Sequence, residues 1–173
     1  MARLDREQVV SAAIALADDA GLDAVSLRRV ADRLGVTPMA LYRHVASKDD
    51  LLDAMADRLY GELDLPALGE PWWDALAGLA RSTRELLLER PWSVPLFARP
   101  LAGPHGHALD EALREAFLTA GFPPAEAAEL HDQLSGMTFA LVAPELAGTP
   151  NRAAFERGLE LLQDGLAARL ARR

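Results

Sequence analysis

Within the stretch TPMALYRHVASKDDLL, Thr37 to Leu52, a phenol, a guanidinium and an imidazole follow one another at Tyr42, Arg43 and His44. Thr37 stands before Pro38 as a helix cap before a proline at the first helical position, so a short helix begins there. At about 100° per residue, Leu41 and Val45 share one direction on that helix and become its buried anchors. Met39 and Arg43 then lie on the opposite side, flanked by Ala40, Tyr42 and His44. A polar and aromatic group turned outward on so short a helix suits insertion into a groove about 12 Å wide. The plainer alternative leaves Tyr42 at a core edge and His44 in solvent.

The surrounding residues place this helix third in a series. Asp5 with Gln8 forms a capping pattern, and Val9, Ala13, Leu16 and Ala20 mark one face of a helix that Gly21 ends. Ser26 caps a second helix with Leu27, Val30, Ala31 and Leu34 on one side, and Gly35 stops it. Only Val36 separates that stop from Thr37. Ser47, with Asp49 and Asp50 in the turn that follows, opens a fourth helix through Leu51, Leu52, Met55 and Leu59. Two short helices joined by a Gly-containing turn make a helix-turn-helix. Lys48, at the start of the fourth helix, adds a cation beside the outward group.

Charge refines this reading. The 173 residues carry a net charge of −8, but residues 1–50 hold seven bases against eight acids. The amino-terminal third is thus nearly neutral, with Arg28, Arg29, Arg43 and Lys48 grouped inside it. An acidic body with a locally basic end suits a DNA binder as well as an enzyme. There is no cysteine, which excludes disulfides, thiolate metal sites and a cysteine nucleophile. The start MARLDREQVV leaves no room for a signal peptide, and no apolar run approaches the ~20 residues of a membrane span. A cytoplasmic location is expected.

Beyond residue 61 the chain reads as a helical body. GELDLPALG, from Gly61 to Gly69, is a linker by its Gly and Pro. A helix from Pro71 to about Glu89 follows. Pro91, Pro95, Pro100 and Pro104 then forbid a long helix, although Trp92, Val94, Leu96 and Phe97 are apolar. Such a segment is either a cap on a core or the wall of a ligand cavity. Further helices are expected from about His107 to Ala120, Pro124 to Val142 and Arg152 to the end. The last carries Gly158 and Gly165, each costing roughly 1 kcal/mol relative to Ala, a cost better tolerated where another helix must approach closely. The stripes Leu130, Leu134, Met137, Leu141 and Phe155, Leu159, Leu162, Leu166, Leu170 suit either a subunit interface built as a four-helix bundle or an internal core.

His105, His107 and His131 raise a metal reading, but GPHGH offers no second ligand pair at helical spacing, and no metal or other cofactor is expected. Nor does the chain contain GxSxG, HExxH, a P-loop or a Gly-rich dinucleotide turn. The two alternatives to a DNA-binding regulator are an enzyme, which these absences disfavour, and a helical protein-interaction module without DNA binding.

The run LRRVADRLGVTPMALYRHVASKDDLLDAM resembles the signature of the tetracycline-repressor (TetR) family of regulators, in the order and spacing of its Leu-Gly-Val turn, Leu-Tyr-x-His-Val helix and Lys-x-x-Leu-Leu helix. The resemblance implies an all-α chain with a helix-turn-helix DNA-binding domain at 1–46, a connecting helix at 47–61 and a regulatory and dimerisation domain at 62–173. It makes the third helix the recognition helix. Arg28 would contact a base or phosphate from the side. Thr37, Met39, Ala40 and Arg43, behind Pro38, would approach base edges, and Tyr42, His44 and Lys48 would hold phosphates. Arg43 suits a two-pronged bond to guanine, and the methyl groups of Thr37 and Ala40 suit thymine.

The body resembles the tetracycline-repressor subclass through WWDALAGLARSTR, FARP and AFERGLELLQDGLAARL, and this implies a homodimer through the last two long helices. The departures are equally informative. In that repressor a histidine before the Arg-Pro pair coordinates the magnesium of the drug chelate; here its place falls on Pro95, with Ala98 for the adjacent threonine. Leu79 and Thr83 replace an asparagine and a phenylalanine, and only Arg99 and Pro100 persist. The expected effector is therefore a small apolar or aromatic molecule rather than magnesium–tetracycline. Its contacts would come from Leu79, Thr83, Trp92, Leu96, Phe97, Arg99, Leu113, Phe117, Leu134, Met137 and Thr138, with Thr83, Arg99 and Thr138 as the orienting polar groups. The expected partners are a double-stranded palindromic operator, this effector and a second copy of the chain, with no membrane. The expected activity is ligand-responsive transcriptional repression.

Overall fold

The computed structural model describes residues 4–65 and 71–172. Among them the only regular structure is helical. Two compact units divide the chain: one takes the residues up to Glu62 with Arg90–His107, the other takes Leu63–Glu89 with the residues from Ala108.

In the first unit, helix α1 (Arg6–Ala20) begins at a complete capping box. The Gln8 N–H donates to the Asp5 carboxylate at 2.8 Å, and the Asp5 N–H donates to the Gln8 side chain at 3.1 Å. After a single 3₁₀ turn, Leu22–Ala24, Ser26 Oγ accepts the Arg29 N–H and caps α2 (Leu27–Leu34). Gly35 at φ 67° ends α2. That left-handed residue lets the Val36 N–H reach the Ala31 carbonyl at 3.0 Å and the Gly35 N–H reach Asp32 at 3.2 Å.

Helix α3 is only Pro38–Leu41, a single turn. Thr37 occupies the cap position, yet its side chain makes no capping bond. That corrects the expected cap: its backbone carbonyl accepts the Ala40 N–H instead. Tyr42 to His44 form a turn in which the His44 and Val45 N–H groups both reach the Leu41 carbonyl, at 2.8 and 2.9 Å. Ser47 Oγ then accepts the Asp50 N–H at 3.0 Å and opens α4 (Lys48–Tyr60).

Apolar spacing determines what packs. Val9, Ala13 and Ala17 of α1, Val30 and Ala31 of α2, and Leu51, Met55 and Leu59 of α4 are all sealed from solvent. Leu41 and Val45 drop into this core, at 0% and 1% exposure. Burying each large side chain contributes about 1.5–3 kcal/mol, which holds in place an α3 too short to form alone.

The proline-rich stretch becomes a 3₁₀ turn, Pro91–Ser93, and a single helical turn, α6 (Val94–Phe97). Helix α6 packs on α4, where the Tyr60 and Phe97 rings meet edge to face at 5.1 Å. Helix α7 (Gly103–Ala120) starts at Gly103 rather than near His107, so the expected loop GPHGH is helical. The reason lies on α4. Asp57 accepts the N–H groups of His105 and Gly106, each at 2.9 Å, and supplies from a distant element the cap that its own sequence lacks.

The second unit contains α5 (Trp72–Glu89), α8 (Pro124–Leu146) and α9 (Arg152–Leu170). Helix α8 runs past the expected end at Val142 and takes Pro144 into its last turn. Arg84 links three elements of this unit. Its Nε donates to Glu145 of α8 at 2.8 Å, and its guanidinium lies 5.5 Å over the Phe155 ring of α9. Gly158 meets Leu141 so closely that a Cβ would stand 2.5 Å from a Leu141 methyl, whereas a Cβ at Gly165 would meet nothing within 4 Å. The first late glycine is thus accounted for inside the chain.

Candidate nucleic-acid interface and effector residues

With Leu41 and Val45 buried, Met39 is 73% exposed and Tyr42 52%. Arg43 is exposed beside them, with Thr37 and Pro38 at the helix start, while Ala40 and His44 are half-buried. The orientation read from helical arithmetic therefore holds. Arg28 of α2 and Lys48 of α4 are also exposed. Among the described residues, no carboxylate pairs with Arg28, Arg29, Arg43 or Lys48, although nearby Arg33 is held by Asp19 at 2.7 Å. Unneutralised cations around an outward Tyr and Met can take up phosphate oxygens and groove edges.

The sequence reading did not find what fixes the turn behind α3. Arg6, the first residue of α1, donates Nη1 to the His44 carbonyl at 2.6 Å and Nη2 to Asp50 Oδ1 at 2.6 Å. Asp50 in turn accepts the Ala46 N–H at 2.6 Å. The hydrogen bond from Arg6 lowers the Asp50 pKa below its ordinary value, and Asp50 raises that of Arg6. Separations of 38 and 44 residues leave no local pattern from which this network could be read.

Of the expected effector residues, Trp92, Leu96, Phe97 and Arg99 belong to the first unit. Leu96 is buried and Phe97 half-buried against Tyr60. The Trp92 indole N–H donates to Asp18 at 2.8 Å, and Arg99 Nε donates to Asp53 at 2.6 Å. In the second unit Leu79, Leu113, Phe117 and Leu134 are buried, Thr83 is half-buried and Met137 is 44% exposed. Thr138 is buried, but its hydroxyl donates to the Leu134 carbonyl at 2.9 Å. Two of the three expected orienting groups thus already have protein partners.

Two other hydroxyls, absent from the sequence reading, have none. Tyr60 Oη and Ser93 Oγ are buried and without a hydrogen-bond partner among the described residues. Burial, with Asp57 and Asp53 nearby, pushes the Tyr60 phenol up to about 12, so it stays a neutral donor. Two of the three histidines raised for a metal are engaged by carboxylates: His105 Nδ1 lies 3.1 Å from Asp57, and His131 Nδ1 3.1 Å from Asp110.

Residues 9–55 match the family model described as bacterial regulatory proteins, tetR family, and residues 65–153 match the tetracyclin repressor-like C-terminal domain. An HTH-type transcriptional regulator of Saccharopolyspora erythraea is 40% identical over 125 residues, 71% of this chain. The chain spans about half of that relative's length, 53%. The solved structure of the Streptomyces coelicolor TetR family protein ActR in complex with actinorhodin is 26% identical, with a TM-score of 0.85 over 98% of this chain and 99% of that one. BioQ with its double-stranded DNA operator is 30% identical, with a TM-score of 0.79 over 96% and 99%. No helix among the described residues is long and apolar enough to cross a membrane. The sequence motif, the helical arrangement and both domain matches agree: the chain belongs to the tetR family of bacterial regulatory proteins.

Proposed function

We propose that this protein is a ligand-responsive transcriptional repressor that binds a palindromic DNA operator as a homodimer and leaves it when a small apolar or aromatic effector binds. The observation that carries the proposal is the outward display of Met39, Tyr42 and Arg43 over two sealed anchors, Leu41 and Val45. Residues 1–46 read DNA, 47–61 form the connecting helix, and 62–173 regulate and dimerise. Arg28, Thr37, Pro38, Met39, Ala40, Tyr42, Arg43, His44 and Lys48 form the DNA face. Two copies would set their recognition helices about 34–36 Å apart, one turn of duplex. The relative BioQ, with its operator, supports this use of the fold. Its work is regulatory rather than enzymatic, and it takes place in the cytoplasm.

The effector acts through its preference for the DNA-free form. Within the first unit, helix α4 is tied to the 94–105 stretch by Tyr60 on Phe97, Asp53 on Arg99 and Asp57 on His105. A molecule that touches Leu96 or Phe97 therefore presses directly on the connecting helix. Tyr60 and Ser93 offer it polar contacts beside the apolar ones. ActR, solved in complex with actinorhodin, is a relative with a bound ligand.

Selection from a random-sequence duplex library tests the reading. The wild-type protein is expected to enrich one palindrome and to release it on addition of one member of an aromatic compound panel. A protein that enriched no sequence would overturn the DNA-binding function.

A further inference from the structure

We infer that Arg6 and Asp50 are a positioning pair for DNA recognition, a latch that sets the angle of the recognition helix without touching a base. The inference rests on the DNA-binding reading above. Helix α3 has four residues, no side-chain cap, and only the turn 42–47 between it and α4. A turn at a helix end leaves carbonyl and N–H groups that must find partners elsewhere. Here the His44 carbonyl takes an N–H from Arg6 at 2.6 Å, and the Ala46 N–H goes to Asp50 at 2.6 Å. Arg6 and Asp50 close the loop between them with bonds of 2.6 and 3.2 Å. Because two parallel N–H···O bonds fix direction as well as distance, α1, the turn and α4 become one frame. Leu41 and Val45 hold the helix down, and the latch governs its rotation about those two anchors. Tyr42 and Arg43 occupy the clamped segment, so their reach toward DNA depends on it.

The alternative is that Arg6, half exposed at 48%, is itself a phosphate contact. The two roles predict opposite signs at Asp50. Removing an acid near DNA strengthens binding if only charge matters, but weakens specific binding if Asp50 holds the turn.

The test uses the full chain with the duplex that the wild type enriches and with a scrambled duplex. Arg6→Gln and Asp50→Asn are each expected to weaken operator binding about tenfold. Scrambled-duplex affinity and the slope of log affinity against log salt should be unchanged. The double variant should be no weaker than either single one, because one latch is lost only once. Arg6→Lys should recover part of the loss. Amide exchange at His44 to Ala46 should quicken in Arg6→Gln without any DNA present, a readout that needs only the folded protein. Tighter binding by Asp50→Asn, with a salt slope lower by about one in Arg6→Gln, would make Arg6 a phosphate contact and overturn the latch. Unchanged operator affinity in both variants would also overturn it while leaving the DNA-binding function intact. A wild type that enriched no duplex would remove that function, and the latch with it.

Discussion

Asp57 accepts the backbone N–H of His105 at 2.9 Å and lies 3.1 Å from the same residue's imidazole, so one carboxylate both caps α7 and holds its first turn against α4. Gly103, at φ 78°, lets the chain enter this cap, and a Cβ there would lie 2.5 Å from the Asp57 carboxyl carbon. Asp57→Ala is expected to lower stability by about 1–2 kcal/mol through the lost cap. Chemical denaturation will measure it, and a change below a few tenths would mean that the contact is idle.

The DNA face offers a prediction with a spatial signature. Arg43→Ala should cost about 1–3 kcal/mol of operator binding and relax the choice at a single base pair. A mobility shift on the enriched palindrome and its single-base variants reads both effects. An unchanged shift would place recognition on other residues.

The local readings held where the partners lie three or four residues apart. Asp5 with Gln8, Ser26 with Arg29 and Ser47 with Asp50 are all pairs of this kind, visible as strings and present as bonds. Leu41 and Val45 were legible because a spacing of four sets them on one side, and the Val45 N–H still reaches the Leu41 carbonyl at 2.9 Å although the helix itself ends at Leu41. The start of α7 was not legible, because its cap comes from Asp57, 48 residues away. Arg6 was missed for the same reason. Thr37 misled in the opposite direction: it has the right type in the right place, but its hydroxyl caps nothing. Tyr60 and Ser93 are notable only for partners they lack, which no pattern of residue types can display.

The ion pair of Arg84 with Glu145 gives a dependence on pH. Both side chains are about nine-tenths hidden from solvent. The hydrogen bond from Arg84 holds the Glu145 carboxyl below its ordinary 4.5. A lowered carboxyl value stabilises the fold above about pH 4.5, and the contribution disappears as pH falls through the lower folded value. Thermal unfolding should show stability falling as pH drops from 5 to 3. Glu145→Gln should cost about 3 kcal/mol at pH 7, as expected when a largely buried charge loses its partner, and should flatten that acid limb.

Tyr60→Phe separates effector binding from folding. A buried hydroxyl without a partner opposes folding, so its removal should leave stability unchanged or raise it by about 1 kcal/mol. If the phenol donates to the effector, the same change should weaken effector binding about five- to tenfold. Titration calorimetry with the hit from the aromatic panel measures the second quantity, and equal affinity would remove Tyr60 from the effector contacts.

Gly165 bears on self-association. Its surroundings are open within one chain, so Gly165→Ala should favour the isolated helix by roughly 1 kcal/mol. If α9 packs against its counterpart in a second copy, the added methyl should instead raise the dimer Kd about tenfold, the cost of overpacking. Sedimentation equilibrium decides, and an unaltered or tighter dimer would move the interface off this part of α9.

The brevity of α3 has a consequence for how such a regulator changes its target. Leu41, Val45 and the Arg6–Asp50 pair fasten the helix and the turn that follows, so the outward Met39, Tyr42 and Arg43 can be exchanged with little effect on the scaffold. If these residues read bases as proposed, new operator preferences are reachable by single substitutions, each judged on its fit to bases, without a compensating repair elsewhere. A reading head mounted on two pegs is an interchangeable part.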